Sequence, residues 1–213
     1  MAAHEGVIKY TLEYTLTNPL PAEGLRELIA WRRVLHLCGL IGQTPDRYAG
    51  YGYGNISQRR SSDGRKRPFV ISGSQTGHLA DLTRDHFALV LNSLPAKNYV
   101  VARGPVKPSS ESLTHGAIYA LDTQVGGVIH AHSPHIWRQT ALLGIPQTDA
   151  AVPYGTPALA KEIGRLFANS DVRQLGILAM GGHEDGIVTF GATVTAAGIT
   201  LVRYLALAFE RDW

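Results

Sequence analysis

Between residues 7 and 15 apolar and polar side chains alternate. Tyr10, Leu12 and Tyr14 share one parity, while Lys9, Thr11 and Glu13 take the other. Successive side chains of a strand point to opposite faces, so this spacing predicts a half-buried strand at a sheet edge. Asn18-Pro19-Leu20-Pro21 ends it. Leu25, Leu28, Ile29, Val34, Leu35 and Cys38 then recur at helical spacing, which predicts an amphipathic helix over residues 22–40 that closes at Gly39 and Gly42. After a loop rich in Pro, Gly and Tyr, residues 53–59 and 68–72 read as the two strands of a hairpin. The second runs into Gly73-Ser74-Gln75-Thr76-Gly77.

Residues 87–91 and 99–101 read as further strands, and Ser109 or Ser110 can cap a helix over residues 111–121. Residues 127–132 form a short apolar strand that ends in two histidines. Helices are expected over 134–143 and 157–167, with Pro157 suited to the first helical turn. Residues 176–180 are a strand leading into Gly181-Gly182-His183, residues 187–190 another strand, and residues 195–210 an apolar helix. Strands outnumber helices, yet helices lie at both ends and between strands. That excludes a pure sandwich and predicts an α/β sheet layered with helices. There is no internal repeat and no long low-complexity linker, and 213 residues suit a single domain over 1–213.

Composition narrows the class. The chain is 45% hydrophobic and 17% charged with a net charge of +3, ordinary values for a soluble globular protein. Its only basic cluster, Arg59, Arg60, Arg65, Lys66 and Arg67, surrounds Ser61-Ser62-Asp63-Gly64 and reads as a solvated hairpin tip. No aromatic residues interleave with those charges, so no nucleic-acid partner is expected. The single cysteine, Cys38, cannot form an internal disulfide and reads as a buried core thiol. No stretch reaches the ~18 apolar residues of a membrane span, and no signal-peptide core stands at the N-terminus. No membrane association and a cytoplasmic location are the expectation.

Four features can carry chemistry. His130-Ala131-His132 places two imidazoles on one face of a strand at its end, where both rings can converge on a divalent metal. His183, in Gly181-Gly182-His183-Glu184-Asp185-Gly186, sits in a glycine-rich turn and can supply a third nitrogen. Each is weak alone; together they leave coordination positions open for substrate, as a catalytic site needs. Pro108-Ser109-Ser110-Glu111 puts two hydroxyls and a carboxylate at a helix start, which suits an anion. Gly54-Asn55-Ile56-Ser57 and Ser72-Gly73-Ser74 are small-residue turns able to offer backbone N–H groups to a phosphate or carboxylate.

In this order, and together with His115, Tyr119 and Tyr154-Gly155-Thr156-Pro157, these motifs resemble the class II aldolase/adducin family, which includes fuculose-phosphate and rhamnulose-phosphate aldolases. The similarity runs from about the first helix to the C-terminus and leaves residues 1–18, an N-terminal strand extension, outside. The resemblance implies a three-layer α/β/α fold with a central, largely antiparallel sheet covered by helices, and a homotetramer. It implies that His130, His132 and His183 hold Zn2+ or another divalent metal, and that Glu111 is the catalytic acid/base. Asn55, Ser72, Gly73, Ser109 and Ser110 would cradle a phosphate.

The activity implied is that of a metal-dependent lyase, cleaving a carbon–carbon bond of a small sugar phosphate or related hydroxy-ketone through a metal-stabilised enediolate. Two departures stand against it. Residues 145–150 lack the tyrosine that the sugar-phosphate aldolases place there, and His183 lies in Gly-His-Glu-Asp-Gly rather than an Asn-His-Gly type of turn. Epimerase, dehydratase or decarboxylase chemistry on the same site is the enzymatic alternative, and a non-catalytic adducin-like interaction module the other.

Overall fold

The computed structural model describes residues 7–60 and 67–211. Its elements in chain order are β1 (Thr11–Leu16), α1 (Arg26–Leu37), β2 (Gly42–Gln43), β3 (Gly52–Tyr53), β4 (Asn55–Arg59), β5 (Phe69–Ser72), β6 (Phe87–Leu94) and β7 (Tyr99–Gly104). Then follow α2 (Ser112–Leu121), β8 (Gly127–His132), α3 (Pro134–Arg138), α4 (Pro157–Asn169), α5 (Val172–Leu175), β9 (Ile177–Ala179), β10 (Gly186–Gly191) and α6 (Val194–Glu210). Eight strands form one sheet in the order β1-β7-β6-β5-β4-β8-β10-β9, with β2 and β3 paired apart. Only β1 and β7 run parallel; every other neighbouring pair is antiparallel.

Strand parity divides the core in two. Ile56, Val70, Phe87, Ile129 and Ile187 face one side, where α1, α3 and α6 cover them. Phe69, Ile71, Val90, Val128 and Val188 face the other, beneath α2 and α4. The result is the expected α/β/α sandwich, because β5, β8 and β10 are buried at nearly every position on both parities. The expected edge strand is also present: Tyr10, Leu12 and Tyr14 pack on the α2/α4 side while Thr11, Glu13 and Thr15 are exposed.

Several boundaries differ from the periodicity. The first helix starts at Arg26, after a short turn, and its apolar stripe is narrower than expected. Val34 is 40% exposed and Cys38 is exposed, so the cysteine is not a core thiol. Arg32 takes the inward position instead, buried and donating to the carbonyls of Ala80, Thr76 and Gly77 at 3.1 Å each. Glu111, rather than a serine, occupies the N-cap of α2. The 134–143 helix stops at Arg138, and residues 53–59 are interrupted at Gly54, whose φ of +77° no β-branched residue would adopt. Of the expected hairpin tip, residues 61–66 lie outside the described residues. Its flanks are not simply solvated: Arg59 donates to the carbonyls of Tyr119, Asp122 and Val125, and Arg67 to those of Tyr119 and Ala120, closing the C-terminal end of α2.

Burial pushes the Arg32 guanidinium down to about 10, still well above neutrality, so the charge persists and its three carbonyl partners tie the 76–80 loop to α1. Arg32→Leu should therefore cost about 3 kcal/mol, by stranding those carbonyls and losing charge-assisted bonds. Equilibrium urea unfolding reads this out, and a loss under about 1 kcal/mol would contradict it.

Candidate metal centre

The antiparallel register sets the site. Asn55 of β4 lies opposite His130, and Gly186 of β10 opposite His132. His130 and His132 share the parity of Val128 and so lie on the α2/α4 side of the sheet, at the end where β8 stops. The strand ends there because Ser133 caps α3, its hydroxyl accepting from Ile136 N at 3.3 Å. His183 comes from the β9–β10 turn, folded back by Met180 N to Gly186 O (2.8 Å) and Gly186 N to His183 O (2.9 Å). That turn needs its glycines. A Cβ on Gly181 would meet Thr148 O at 2.2 Å, and one on Gly182 would meet Val152 O at 2.1 Å.

The three imidazoles are buried, and their ligand atoms all lie within 4.8 Å of one another. A tetrahedral ion with ~2.0–2.1 Å bonds holds its ligand nitrogens roughly 3.3 Å apart, so modest side-chain rotation would close the set. The donor chemistry fits a zinc-like dication. Asn55 Nδ2 is 3.3 Å from His130 Nδ1, while Asn55 Oδ1 is buried with no hydrogen-bond partner among the described residues. A half-turn of that amide presents Oδ1 to an Nδ1–H, which leaves Nε2 of His130 with the lone pair a metal needs. Asn55 thus lies beside a candidate ligand and, through the bond from Ile56 N to Ser72 Oγ at 3.2 Å, beside the other cradle residues.

Those others do come together. Ser109 N donates to Ser72 O at 3.2 Å, and Gly73 bridges to Pro108, so the two turns lie side by side. Ser72 Oγ accepts from Ile56 N and Ser109 Oγ from Glu111 N, both at 3.2 Å, which leaves each hydroxyl its own proton to donate. Glu111 is buried; Oε2 accepts from Thr114 Oγ1 at 2.6 Å. Its Oε1 reaches toward Gly155, lying 3.7 Å from where a Cβ there would stand. Gly155 follows Tyr154, whose ring is 4.2 Å from that of His183, and this contact links the carboxylate's neighbourhood to the histidines.

Two further groups support the site: the first joins Asp185 of the His183 motif to a loop the sequence reading left unassigned, and the second joins motif residues whose contacts were not legible in the sequence. The first is a clamp on the His183 turn: Asp185 Oδ2 accepts from Tyr48 Oη at 2.7 Å and Arg47 Nη2 at 3.1 Å, and Asp185 O accepts from Ser133 N at 2.9 Å. The Tyr48 ring packs edge-on against His132 with centroids 4.4 Å apart. Burial, then the bond to Asp185, raises the Tyr48 hydroxyl far above its ordinary value, so it stays a neutral donor. Tyr48 and Ala49 both hold positive φ, +51° and +54°, a cost that the surrounding contacts must sustain. Only a Pro/Gly/Tyr-rich loop was visible in the sequence.

The second group lies behind the site. Ser57 Oγ is 2.6 Å from His115 Nδ1 and 2.8 Å from Tyr119 Oη, a buried link between β4 and α2. It holds the helix that starts at Glu111 against the strand that carries Asn55. Burial pushes the His115 imidazole down to about 3, so it is neutral in the folded protein.

The sequence matches the family described as Class II Aldolase and Adducin N-terminal domain over residues 34–208, most of the chain. The structure is similar to a sugar-phosphate aldolase from Thermotoga maritima, at TM-score 0.66 and 17% identity, covering 88% of this chain and 93% of that one. It is also similar to L-fuculose-1-phosphate aldolase from Thermus thermophilus, at TM-score 0.62, 18% identity, 91% of this chain and 96% of that one. YgbL from Klebsiella pneumoniae, named as a candidate aldolase/epimerase/decarboxylase, matches at TM-score 0.62 and 17% identity over 90% of this chain and 89% of that one. At these identities the likeness is one of fold. Among the described residues no helix is long and apolar enough to cross a membrane.

Tyr48→Phe removes one arm of the clamp and leaves the candidate ligands intact. Zinc affinity, measured by competition with a chromophoric chelator, should fall about 10-fold or more, the usual cost of losing an outer partner of a metal site. An unchanged affinity would show that the clamp does not set the His183 turn.

The His115 linkage has a definite sign. Between its ordinary 6.5 and the folded value of about 3, the unfolded chain binds the extra proton, so stability falls as pH drops through that window. The contribution approaches about 1.4 kcal/mol per pH unit. His115→Asn should flatten the pH dependence relative to the parent in urea unfolding between about pH 7 and 5, where the unfolded imidazole titrates. Parallel curves would refute it.

Proposed function

The chain belongs to the class II aldolase and adducin family, and from that premise we propose that it is a metal-dependent lyase of the aldehyde-lyase type, cleaving a carbon–carbon bond of a small sugar phosphate or related hydroxy-ketone. One observation carries this: three buried imidazoles converge at the sheet end where Glu111 and the two serine-bearing turns also lie. A divalent cation, preferably zinc, held by His130, His132 and His183 supplies positive charge beside the substrate oxygens during bond cleavage. Glu111, half-committed to Thr114, moves the proton at the reacting carbon. The hydroxyls of Ser72, Ser109 and Ser110, with the side chain of Asn55 and the small Gly73 turn, bind the phosphate. Asn55 orients His130. A homo-oligomer, a tetramer by resemblance, and a cytoplasmic location belong to the same proposal.

A specific observation favours a second reading, in which this site performs epimerisation, dehydration or decarboxylation. Residues 145–150 hold no tyrosine, and their backbone is committed to the edge of β9 through Thr148 N to Ala179 O (3.0 Å) and Ala179 N to Pro146 O (2.9 Å). That segment offers no phenol to take the proton from the hydroxyl that becomes the aldehyde carbonyl.

Metal analysis of gently purified protein, followed by NMR of products from a panel of ketose phosphates and hydroxy-acids, tests both readings. Absence of metal even after reloading would sink the metal-dependent one. Glu111→Gln should keep its metal and lose roughly 10²–10⁴-fold in turnover, since an amide cannot exchange the proton. His132→Ala should lose metal and turnover together. A fully active Glu111→Gln would remove Glu111 from the mechanism, and a metal-free one would make it a fourth ligand.

A further inference from the structure

The family match begins at residue 34, yet a cation from well before it reaches the candidate site. Lys9 Nζ lies 3.1 Å from the centroid of the Tyr154 ring and donates to Tyr154 O at 3.2 Å. The same ring also borders the metal cluster, because it is 4.2 Å from the His183 ring. Lys9 is no fraying tail. Asn98 Nδ2 donates to Lys9 O at 3.0 Å, Thr11 N donates to Asn98 O at 2.9 Å, and the next residue, Tyr10, is buried with its hydroxyl on Ser109 O at 2.8 Å. β1 continues in parallel register along β7, which holds the segment at the sheet edge.

A glycine marks the space these groups share. Lys9 Cδ, Glu111 Oε1 and Ser110 O all lie 3.7 Å from the point where a Cβ on Gly155 would stand. Gly155 has a φ of +67°, so a side chain is disfavoured there on conformation as well as on space. The Lys9 stem is therefore beside both the proposed proton carrier and the turn proposed to bind phosphate, with its ammonium held at Tyr154.

Resting on the functional reading above, we propose that Lys9 is a substrate-binding residue that supplies the full positive charge of the anion site. Charge balance gives the reason. Neutral imidazoles with a dication contribute two positive charges, and the Glu111 carboxylate removes one. Asp185 is already matched by Arg47. A phosphate monoester brings nearly two negative charges, so the Lys9 ammonium brings the site to balance. The hydroxyls of Ser72, Ser109 and Ser110 carry no formal charge and shape the site rather than neutralise it. An ammonium can serve several acceptors at once, so its contact with Tyr154 orients it without excluding an anion. The N-terminal strand thus adds a specificity element to a core that the family match covers only from residue 34.

The test uses the full chain loaded with zinc and inorganic phosphate as the probe, titrated by calorimetry, with acetate in a parallel arm. Lys9→Met should weaken phosphate binding roughly 10-fold, the worth of one charge-assisted contact, and Lys9→Arg should restore most of it. Zinc content should stay at the parental value in both variants. Phosphate binding by Lys9→Met equal to the parent would overturn the proposal, leaving Lys9 as a support for Tyr154. Loss of zinc or of cooperative thermal unfolding in that variant would also overturn it, by making the contact structural. If acetate is bound as well as phosphate and with the same dependence on Lys9, the site is one for anions generally, and a carboxylate can fill the proposed role. A parent chain that binds no zinc fails the functional reading itself, an outcome separate from either result on Lys9.

Discussion

Three imidazoles must be kept out of water and still point at one another, and much of the architecture answers to that constraint. Two come from alternate positions of β8, where strand parity gives a common direction at no conformational cost. The third must come from elsewhere, because the next residue on that parity is already beyond the strand, in α3. Antiparallel pairing of β10 with β8 solves this by placing Gly186 opposite His132, so that the turn before β10 sits over the end of β8. A side chain at Gly186 would meet the His183 ring at 2.7 Å. The pairing, the glycine and the histidine therefore act as one device.

The layers on either side divide the labour. The α1/α3/α6 side is a conventional apolar core, and its contribution to the site is rigidity of the sheet floor. The α2/α4 side carries polarity into the interior, through Ser57, His115, Tyr119, Thr114 and Glu111. Buried polar groups of this kind are tolerated only when they are paired, and here the pairing fixes where the first turn of α2 lies. The position of Glu111 follows from a hydrogen-bond network rather than from packing alone. The Arg47–Tyr48–Asp185 clamp does the same for the His183 turn, with positive φ at two consecutive residues as its local cost.

Much of this was legible in the sequence. Apolar alternation in the strands and three-to-four spacing in the helices predicted nearly every element and the layered α/β class, since both periodicities are local properties of the chain. Two histidines at i and i+2 on a strand announced a shared direction, and a histidine in a glycine-rich turn announced a third ring able to join them, though the structure buries it where the turn alone suggested an outward one. The ordered motifs pointed to the family that residues 34–208 match.

What the sequence could not express is distance between remote segments. Nothing near Tyr48 or Lys9 marks them as neighbours of the histidines, and nothing near Asp185 or Gly155 shows which remote groups they meet, because those contacts are made only through strand order and register. The inward turn of Arg32 and the exposure of Cys38 follow likewise from which stripe of α1 meets α6 and the sheet. The second neighbour of Asn55 was hidden for the same reason: its motif suggested a phosphate contact, and the β4–β8 register also sets it opposite His130. Local chemistry is written residue by residue, whereas the partner of each residue is decided by which strands pair.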